Sequence, residues 1–323
     1  MAELSITIEG LFGLTWQEWK PLVRTVEELG FAGLYLSDHF MLAEPPAYPS
    51  LEMVVALTYL ADHTEQVRFG PMVSPLSFRE PVMLARQAAA LDDLSRGRMI
   101  LGLGTGHVEL EHDMFGYDLG DMPTRFARLE EGLEVITGLL RSEDPISFDG
   151  EFFRLHEAVL PPPRRPGGPL VMIGGSGPRR TLPLVARFGD VWNAQWVTTD
   201  ELTARMSLLD RLLEQAGRRP EDVRRTMTME VVCWRNPDEM EARLRRAGRF
   251  PPFRGLSSQE IINVIRTWPS TLIGTPEQVV SQIRAFEAVG VSEIVLRWLD
   301  AEDIEGLEIL ASEVLPAFIP VRT

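Results

Sequence analysis

Eight short apolar segments, each followed by a stretch of helical periodicity, constrain this chain more than any other feature. The segments are Leu4–Ile8, Leu34–Leu36, Val67–Val73, Met99–Leu103, Leu170–Ile173, Val191–Ala194, Thr226–Cys233 and Ile294–Leu296. Several are apolar throughout rather than at alternate positions. That is the pattern of a strand covered on both faces, and so of a parallel sheet wrapped by helices. Trp16–Leu29, Leu51–Ala61, Pro81–Leu94, Arg125–Leu140, Glu201–Ala216 and Asp238–Ala247 supply helical patterns between them, as do 276–289 and Ile304–Phe318. Thr275 before Pro276 is a favourable helix start, a hydroxyl cap followed by a residue that needs no N–H partner there. Eight strand–helix repeats close an α/β (β/α)8 TIM barrel, with a doubly wound open sheet as the alternative. Residues 1–323 then read as a single barrel domain with insertions. Ile146–Leu155 reads as a hairpin turning at Asp149-Gly150. Residues 248–269 are rich in Pro, Gly and Ser, with a helical stretch at Gln259–Thr267. They read as an insertion that is either a lid over the barrel mouth or a subunit contact.

The charge balance excludes several classes of partner. Lysine and arginine total 32 against 47 aspartates and glutamates, a formal net charge of −15. Such a surface argues against nucleic acid and against anionic membranes. Cys233 is the only cysteine, which leaves no intramolecular disulfide and no cysteine metal site. The N-terminus lacks the basic and apolar regions of a signal peptide, and no run approaches the ~20 apolar residues of a membrane span. The expectation is a cytoplasmic protein acting on a small molecule.

In a (β/α)8 barrel the chemistry gathers where the strands end. Leu170–Ile173 runs into Gly174-Gly175-Ser176-Gly177, then Pro178-Arg179-Arg180-Thr181, with Pro178 placed to open a helix. Free backbone N–H groups, the helix dipole and two arginines there suit a phosphate; the plain alternative is a tight turn. The second strand ends in Ser37-Asp38-His39-Phe40, and His39 is the best candidate for proton chemistry. Asp38 points the other way if the segment is extended, and both residues could simply cap the loop. Gly102, Gly104 and Gly106, with Thr105 between, either let a flat ligand approach the backbone or make a tight turn. His107, Glu109, Glu111 and His112 lack metal-ligand spacing and read as a solvated helix face.

Taken together, these motifs resemble the bacterial luciferase-like family of (β/α)8 flavin and deazaflavin oxidoreductases. The resemblance is carried by Gly30–Phe40, Phe78–Gly106, Glu109–Gly116, Arg125–Ile136, Pro169–Asn193 and Leu272–Val279, in family order. It implies a cofactor across the barrel mouth: coenzyme F420 for hydride transfer to or from a small organic substrate, or FMN with oxygen. By motif position, Gly174, Gly175, Ser176, Gly177 and Arg180 would hold the phosphate, while Asp38 and His39 would lie beside the ring with Gly104, Thr105 and Gly106. A cis peptide supporting the ring is implied at Met72–Val73, with Ser74–Pro75 as the alternative. Position 107 departs from the family. Where one branch has tryptophan and the sugar-phosphate branch glutamate, this chain has His107, a second candidate acid or base. The GGSGPRRTL turn and the SDHF strand end favour F420 over FMN. The reading is therefore an F420-dependent oxidoreductase. The alternatives are an FMN monooxygenase fed by a separate reductase and a non-catalytic flavin-binding protein. A homodimer, and a flavin or F420 reductase supplying reduced cofactor, are implied by the resemblance alone.

Overall fold

The computed structural model describes residues 1–40, 48–160, 165, 167–251 and 253–319. Strand and helix alternate from the start: β1 (Glu3–Ile8), α1 (Trp16–Leu29), β2 (Gly33–Leu36), α2 (Met53–His63), β3 (Arg68–Pro71), β4 (Ser74–Pro75) and α3 (Pro81–Leu94). Then come β5 (Ile100–Gly104), α4 (Glu109–Phe115), α5 (Met122–Arg141), the hairpin β6 (Ile146–Asp149) and β7 (Arg154–Ala158), and β8 (Leu170–Gly174). Next are α6 (Thr181–Phe188), β9 (Val191–Ala194), α7 (Thr199–Gln215), β10 (Arg224–Cys233), α8 (Pro237–Ala247) and α9 (Ser258–Ile265). β11 (Thr271–Gly274), α10 (Pro276–Ala288), β12 (Glu293–Trp298) and α11 (Ile304–Ile309) complete the order.

The sheet runs β3-β2-β1-β12-β10-β9-β8-β5-β4, with every pairing parallel. A bridge from Phe69 to Met99 joins β3 to the start of β5 and closes the ring. The barrel thus has nine strands, of which β3 and β4 are two halves of one stave, broken at a cis peptide between Met72 and Val73. Of the two cis sites implied by the sequence, Met72–Val73 is the one present.

Local sequence explains the helix starts. Thr15 and Glu18 form a reciprocal capping box on α1, and Thr275 with Gln278 does the same on α10. Packing separates into two layers. Tyr35, Ile100, Met172, Val191 and Val295 fill the barrel interior, while the larger shell between strands and helices holds residues such as Trp19, Leu57, Leu133 and Leu296. Each fully buried aliphatic side chain contributes about 1.5–3 kcal/mol. At the closed end of the barrel a buried carboxylate, Glu293, accepts from the Tyr35 hydroxyl at 3.3 Å and lies 3.1 Å from Arg224.

Four details differ from the sequence reading. The hairpin turns through a four-residue loop, with Asp149 opposite Arg154. Glu131 of α5 accepts the N–H groups of Glu151, Phe152 and Phe153, so a distant carboxylate decides the loop. α6 begins at Thr181, because Pro178–Arg180 form a turn in which Thr181 and Leu182 both donate to the Gly177 carbonyl. The C-terminal helix is α11 followed by a π turn at Leu310–Val314 and a 3-10 turn at Leu315–Phe318, where Pro316 brings no N–H. β11 is an added strand against the outer half of β10, so β10 pairs with β9 below and β11 above.

Candidate active site

The carboxyl ends of the strands enclose a cleft with two connected lobes of about 460 and 320 Å³. Both lobes are lined by Glu9, Met72, Val73, Gly106, His107, Gln195, Trp196 and Arg297. The smaller lobe adds Gly104, Thr105, Gly174, Gly175 and Asn193; the larger adds His39, Glu230, Phe253 and Trp268.

His39 leaves the end of β2 and meets α4, where its Nδ1 lies 2.9 Å from Glu111 Oε1. The other Glu111 oxygen accepts the Phe40 N–H at 3.0 Å. Glu111 and His112 are both 1% exposed, so this part of α4 is a buried face and not the solvated one expected. The Val108 carbonyl and Ser77 hydroxyl orient His112 at 2.7 and 2.6 Å, whereas Glu109 faces solvent. Burial by itself would lower the His39 pKa, but the Glu111 carboxylate, aided by Glu9 and Asp38, outweighs it and raises the value. His107 lies edge-on to His39 with ring centres 5.3 Å apart. Its pKa is lowered, first by burial and then by the charge of His39. Two imidazoles pushed apart in this way can divide acid and base roles between them.

Asp38 does not line the cleft. It turns into the wall, accepting two bonds from Arg79 at 2.8 and 2.6 Å and one from the Ser74 hydroxyl at 2.7 Å. The extended geometry of the strand end sends neighbouring side chains to opposite sides. Asp38 therefore holds the β4 and α3 junction in place behind His39.

The glycines have a specific steric reason. A Cβ on Gly104 would lie 2.5 Å from one Val73 methyl, and Cβ atoms on Gly174 and Gly102 would lie 2.9 and 3.1 Å from the other. A Cβ on Gly102 would also meet the Pro71 carbonyl at 2.1 Å. These glycines make room for the broken stave, and Val73 in turn forms the wall of the cleft.

The glycine turn after β8 is held from below. Ser176 Oγ donates to the Gln195 carbonyl at 2.7 Å and accepts the Gln195 N–H at 3.0 Å. Trp192 Nε1 donates to the Gly175 carbonyl, and Gly175, at φ +123°, occupies backbone space closed to most side chains. Among the described residues, no acceptor meets the N–H of Ser176, Gly177, Arg179 or Arg180. These donors, with Gly174 and Gly175 lining the smaller lobe, fit a phosphate group. Ser176 and Gly177 lie just behind the lining, and Arg180 is exposed, stacked 5.4 Å over Phe126.

The remaining polar centre is a buried ion cluster. Arg297 on β12 donates to Glu230 on β10 at 2.7 Å and to Gln195 at 3.1 Å, and its Nε lies 3.0 Å from Glu9. Burial raises the Glu230 pKa to about 7; Glu9 adds to the shift and Arg297 opposes it. Glu230 carries no signal in the sequence, because its polar–apolar setting in TMTMEVV resembles a solvent-facing strand position. Trp196 was also missed. It stands at φ +57°, unusual for an aromatic residue, with its ring edge-on to Trp268 at 5.3 Å. Among the described residues no group of three or more His, Cys, Asp or Glu side chains is placed to hold a metal ion. Among them, too, no helix is long and apolar enough to cross a membrane.

Known proteins share this fold. The sequence model of the luciferase-like monooxygenase family matches residues 7–293. An F420-dependent glucose-6-phosphate dehydrogenase of Intrasporangium calvum is 27% identical over 317 residues, covering 90% of this chain and 91% of its own. A 4-hydroxyprotoasukamycin monooxygenase of Streptomyces nodosus is 31% identical over 165 residues, covering 50% of this chain and 43% of its own. In fold, an F420-dependent secondary alcohol dehydrogenase superposes with a TM-score of 0.80 at 20% identity, covering 99% of this chain and all of that one. The F420-dependent tetrahydromethanopterin reductase of Methanopyrus kandleri gives 0.77 at 20% identity, covering 98% of this chain and 100% of that one.

Proposed function

The chain belongs to the luciferase-like monooxygenase family, and we propose that within it the protein is an F420-dependent oxidoreductase. The observation that carries the proposal is a turn rich in free N–H donors opening on the same cleft as a carboxylate-held histidine. The full-length relative from Intrasporangium calvum, itself F420-dependent, supports this choice.

Ser176, Gly177, Arg179 and Arg180 would hold the phosphate through backbone N–H groups, with Gly174 and Gly175 permitting its approach. Met72, Val73, Gly104, Thr105 and Gly106 would flank the ring. Bound there, the deazaflavin supplies hydride chemistry, and the chain supplies position and proton control. Glu111 fixes the His39 ring through Nδ1, leaving Nε2 without a hydrogen-bond partner among the described residues, and favours its protonated form. His107, kept neutral by burial and by His39, is the complementary acceptor. Asp38, tied to Arg79 and Ser74, fixes the backbone from which His39 projects. Residues 1–323 work as one barrel domain, with 248–269 as an insertion at the mouth. Homodimerisation and a separate reductase are carried by the family resemblance alone, and a cytoplasmic setting by the composition of the sequence.

A binding titration tests this reading. Purified protein is added separately to F420 and to FMN, and the fluorescence of each is followed. Quenching of F420 at lower protein concentration supports the proposal. Tight quenching of FMN alone moves the protein to the monooxygenase branch, and binding of neither makes it a non-catalytic member.

A further inference from the structure

The larger lobe of the cleft differs in character from the lobe beside the glycine turn. Its walls are Leu11, Phe12, Trp196, Phe253, Trp268 and Leu299. Phe253 and Trp268 lie 5.4 Å apart between ring centres, and Trp268 continues to Trp196. Phe253 is 1% exposed and belongs to a small core with Leu244, Ile261 and Ile265, so this wall is held by its own packing.

The charges in the lobe are already committed. Arg297 is the only arginine or lysine among the described residues lining either lobe. It is bound to Glu9, Glu230 and Gln195, and its guanidinium lies 5.8 Å from the Trp196 ring. The chain's single lysine, Lys20, stands away from the cleft against Trp16 and Tyr59. A phosphorylated substrate entering this lobe would meet Glu9 and Glu230 around the guanidinium of Arg297, and His39, whose charge is held by Glu111. Its dianion would lose water and find both cations already paired with carboxylates, at a cost of several kcal/mol. For a cationic substrate, Glu9 and Glu230 are already held by Arg297, and Arg297 and His39 present charge of its own sign.

We propose that the larger lobe selects an uncharged, mainly apolar substrate carrying a hydroxyl or carbonyl group, with Trp196, Phe253 and Trp268 as its specificity-determining wall. The proposal rests on the oxidoreductase reading above and narrows it. It separates this protein from the glucose 6-phosphate chemistry named for its relative.

Three probes of similar purpose and different charge test it: 1-phenylethanol, its cationic isostere 1-phenylethylamine, and glucose 6-phosphate. Each is titrated into the full chain, with and without F420, using tryptophan fluorescence and saturation-transfer NMR. The expected result is binding of 1-phenylethanol, undisplaced by a tenfold excess of either charged probe. Trp268→Ala weakens that binding about tenfold, equivalent to about 1.4 kcal/mol. Trp268→Phe recovers most of it, and both variants are checked by circular dichroism for native folding. Displacement of 1-phenylethanol by glucose 6-phosphate or by 1-phenylethylamine, or an unchanged affinity in a folded Trp268→Ala, overturns the proposal. F420 binding is read independently. Its failure removes the oxidoreductase reading, while the ligand titration still decides the character of the lobe.

Discussion

His39 and His107 meet edge to face, with ring centres 5.3 Å apart and ring planes at 87°, yet their protonation equilibria are displaced in opposite directions. The asymmetry has two sources. α4 brings Glu111 into contact with His39 and not with His107, while burial first, and then the charge favoured on His39, disfavour a charge on His107. Burial and one carboxylate together thereby give two neighbouring imidazoles different proton preferences.

Glu111→Gln should remove that assignment. The neutral amide no longer raises the His39 pKa, so the alkaline limb of the pH–rate profile moves to lower pH. Turnover at pH 8 should fall about 10–100-fold, the usual effect of losing an orienting partner. F420 affinity should change little, since the glycine turn is untouched. A pH–rate series on both proteins checks this, and an unmoved limb would show that His39 does not carry the proton.

The same pair is linked to stability. The folded pKa of His39 lies above its unfolded value of about 6.5. Its contribution is therefore complete below pH 6.5 and is lost as pH rises through the elevated folded value. Thermal melts of wild type and His39→Asn between pH 5 and 9 should converge at the alkaline end. A constant gap across the series would contradict the linkage.

Glu230 should titrate near neutrality. Its pKa is about 7 because burial beside Glu9 outweighs the attraction of Arg297. As a carboxyl whose folded value is raised, it favours folding fully below its ordinary value of 4.5 and progressively loses that contribution as pH rises through about 7. Infrared difference spectra should show its carbonyl band disappearing around pH 7, and Glu230→Gln should abolish the transition. A band already absent at pH 5 would mean that Arg297 dominates.

Much of this was legible in the chain. Thr15 with Glu18 and Thr275 with Pro276 announce their helices because a cap is a local interaction, readable within four residues. The glycine turn, His39 and His107 were legible because strand ends in a barrel share one face. What escaped depends on distant partners. Glu111 lies 72 residues from His39, and Glu131 sets a loop about 20 residues away. β11 is four residues long and borders an irregular segment, so nothing local marks it as a strand. Glu230 follows an alternating polar pattern whose inward face here is the lined interior of a barrel, where polarity signals a cleft instead of solvent.

At the closed end of the barrel, Glu293→Ala should destabilise without touching the cleft. Glu293 is fully buried, and its removal leaves Arg224 and Arg68 with the half-exposed Glu3 as their one remaining shared carboxylate. Breaking such a buried pair costs about 3–5 kcal/mol. Denaturant unfolding should show that loss, while F420 titration of the remaining folded protein stays as in wild type.

Gly104→Ala should cost about 1–3 kcal/mol by crowding Val73, the usual range for overpacking. Adding Val73→Ala should recover part of the loss, so the two effects are non-additive. Melting temperatures of the four proteins in the cycle measure the coupling, and strict additivity would mean that the clash relaxes elsewhere.

The contacts of Val73 carry a consequence for the history of the site. Its two methyl groups occupy the space that Cβ atoms on Gly102, Gly104 and Gly174 would need, on two different strands. A side chain at any of those glycines is costly while the valine stays. At Gly104 and Gly174 the rear wall of the cleft therefore drifts most readily after a shrinkage at 73, while the Pro71 carbonyl keeps position 102 a glycine in any case. Descendants of this sequence would more readily alter what they act on at the half-exposed Trp196 of the aromatic wall opposite, which no such backbone constraint fixes in size.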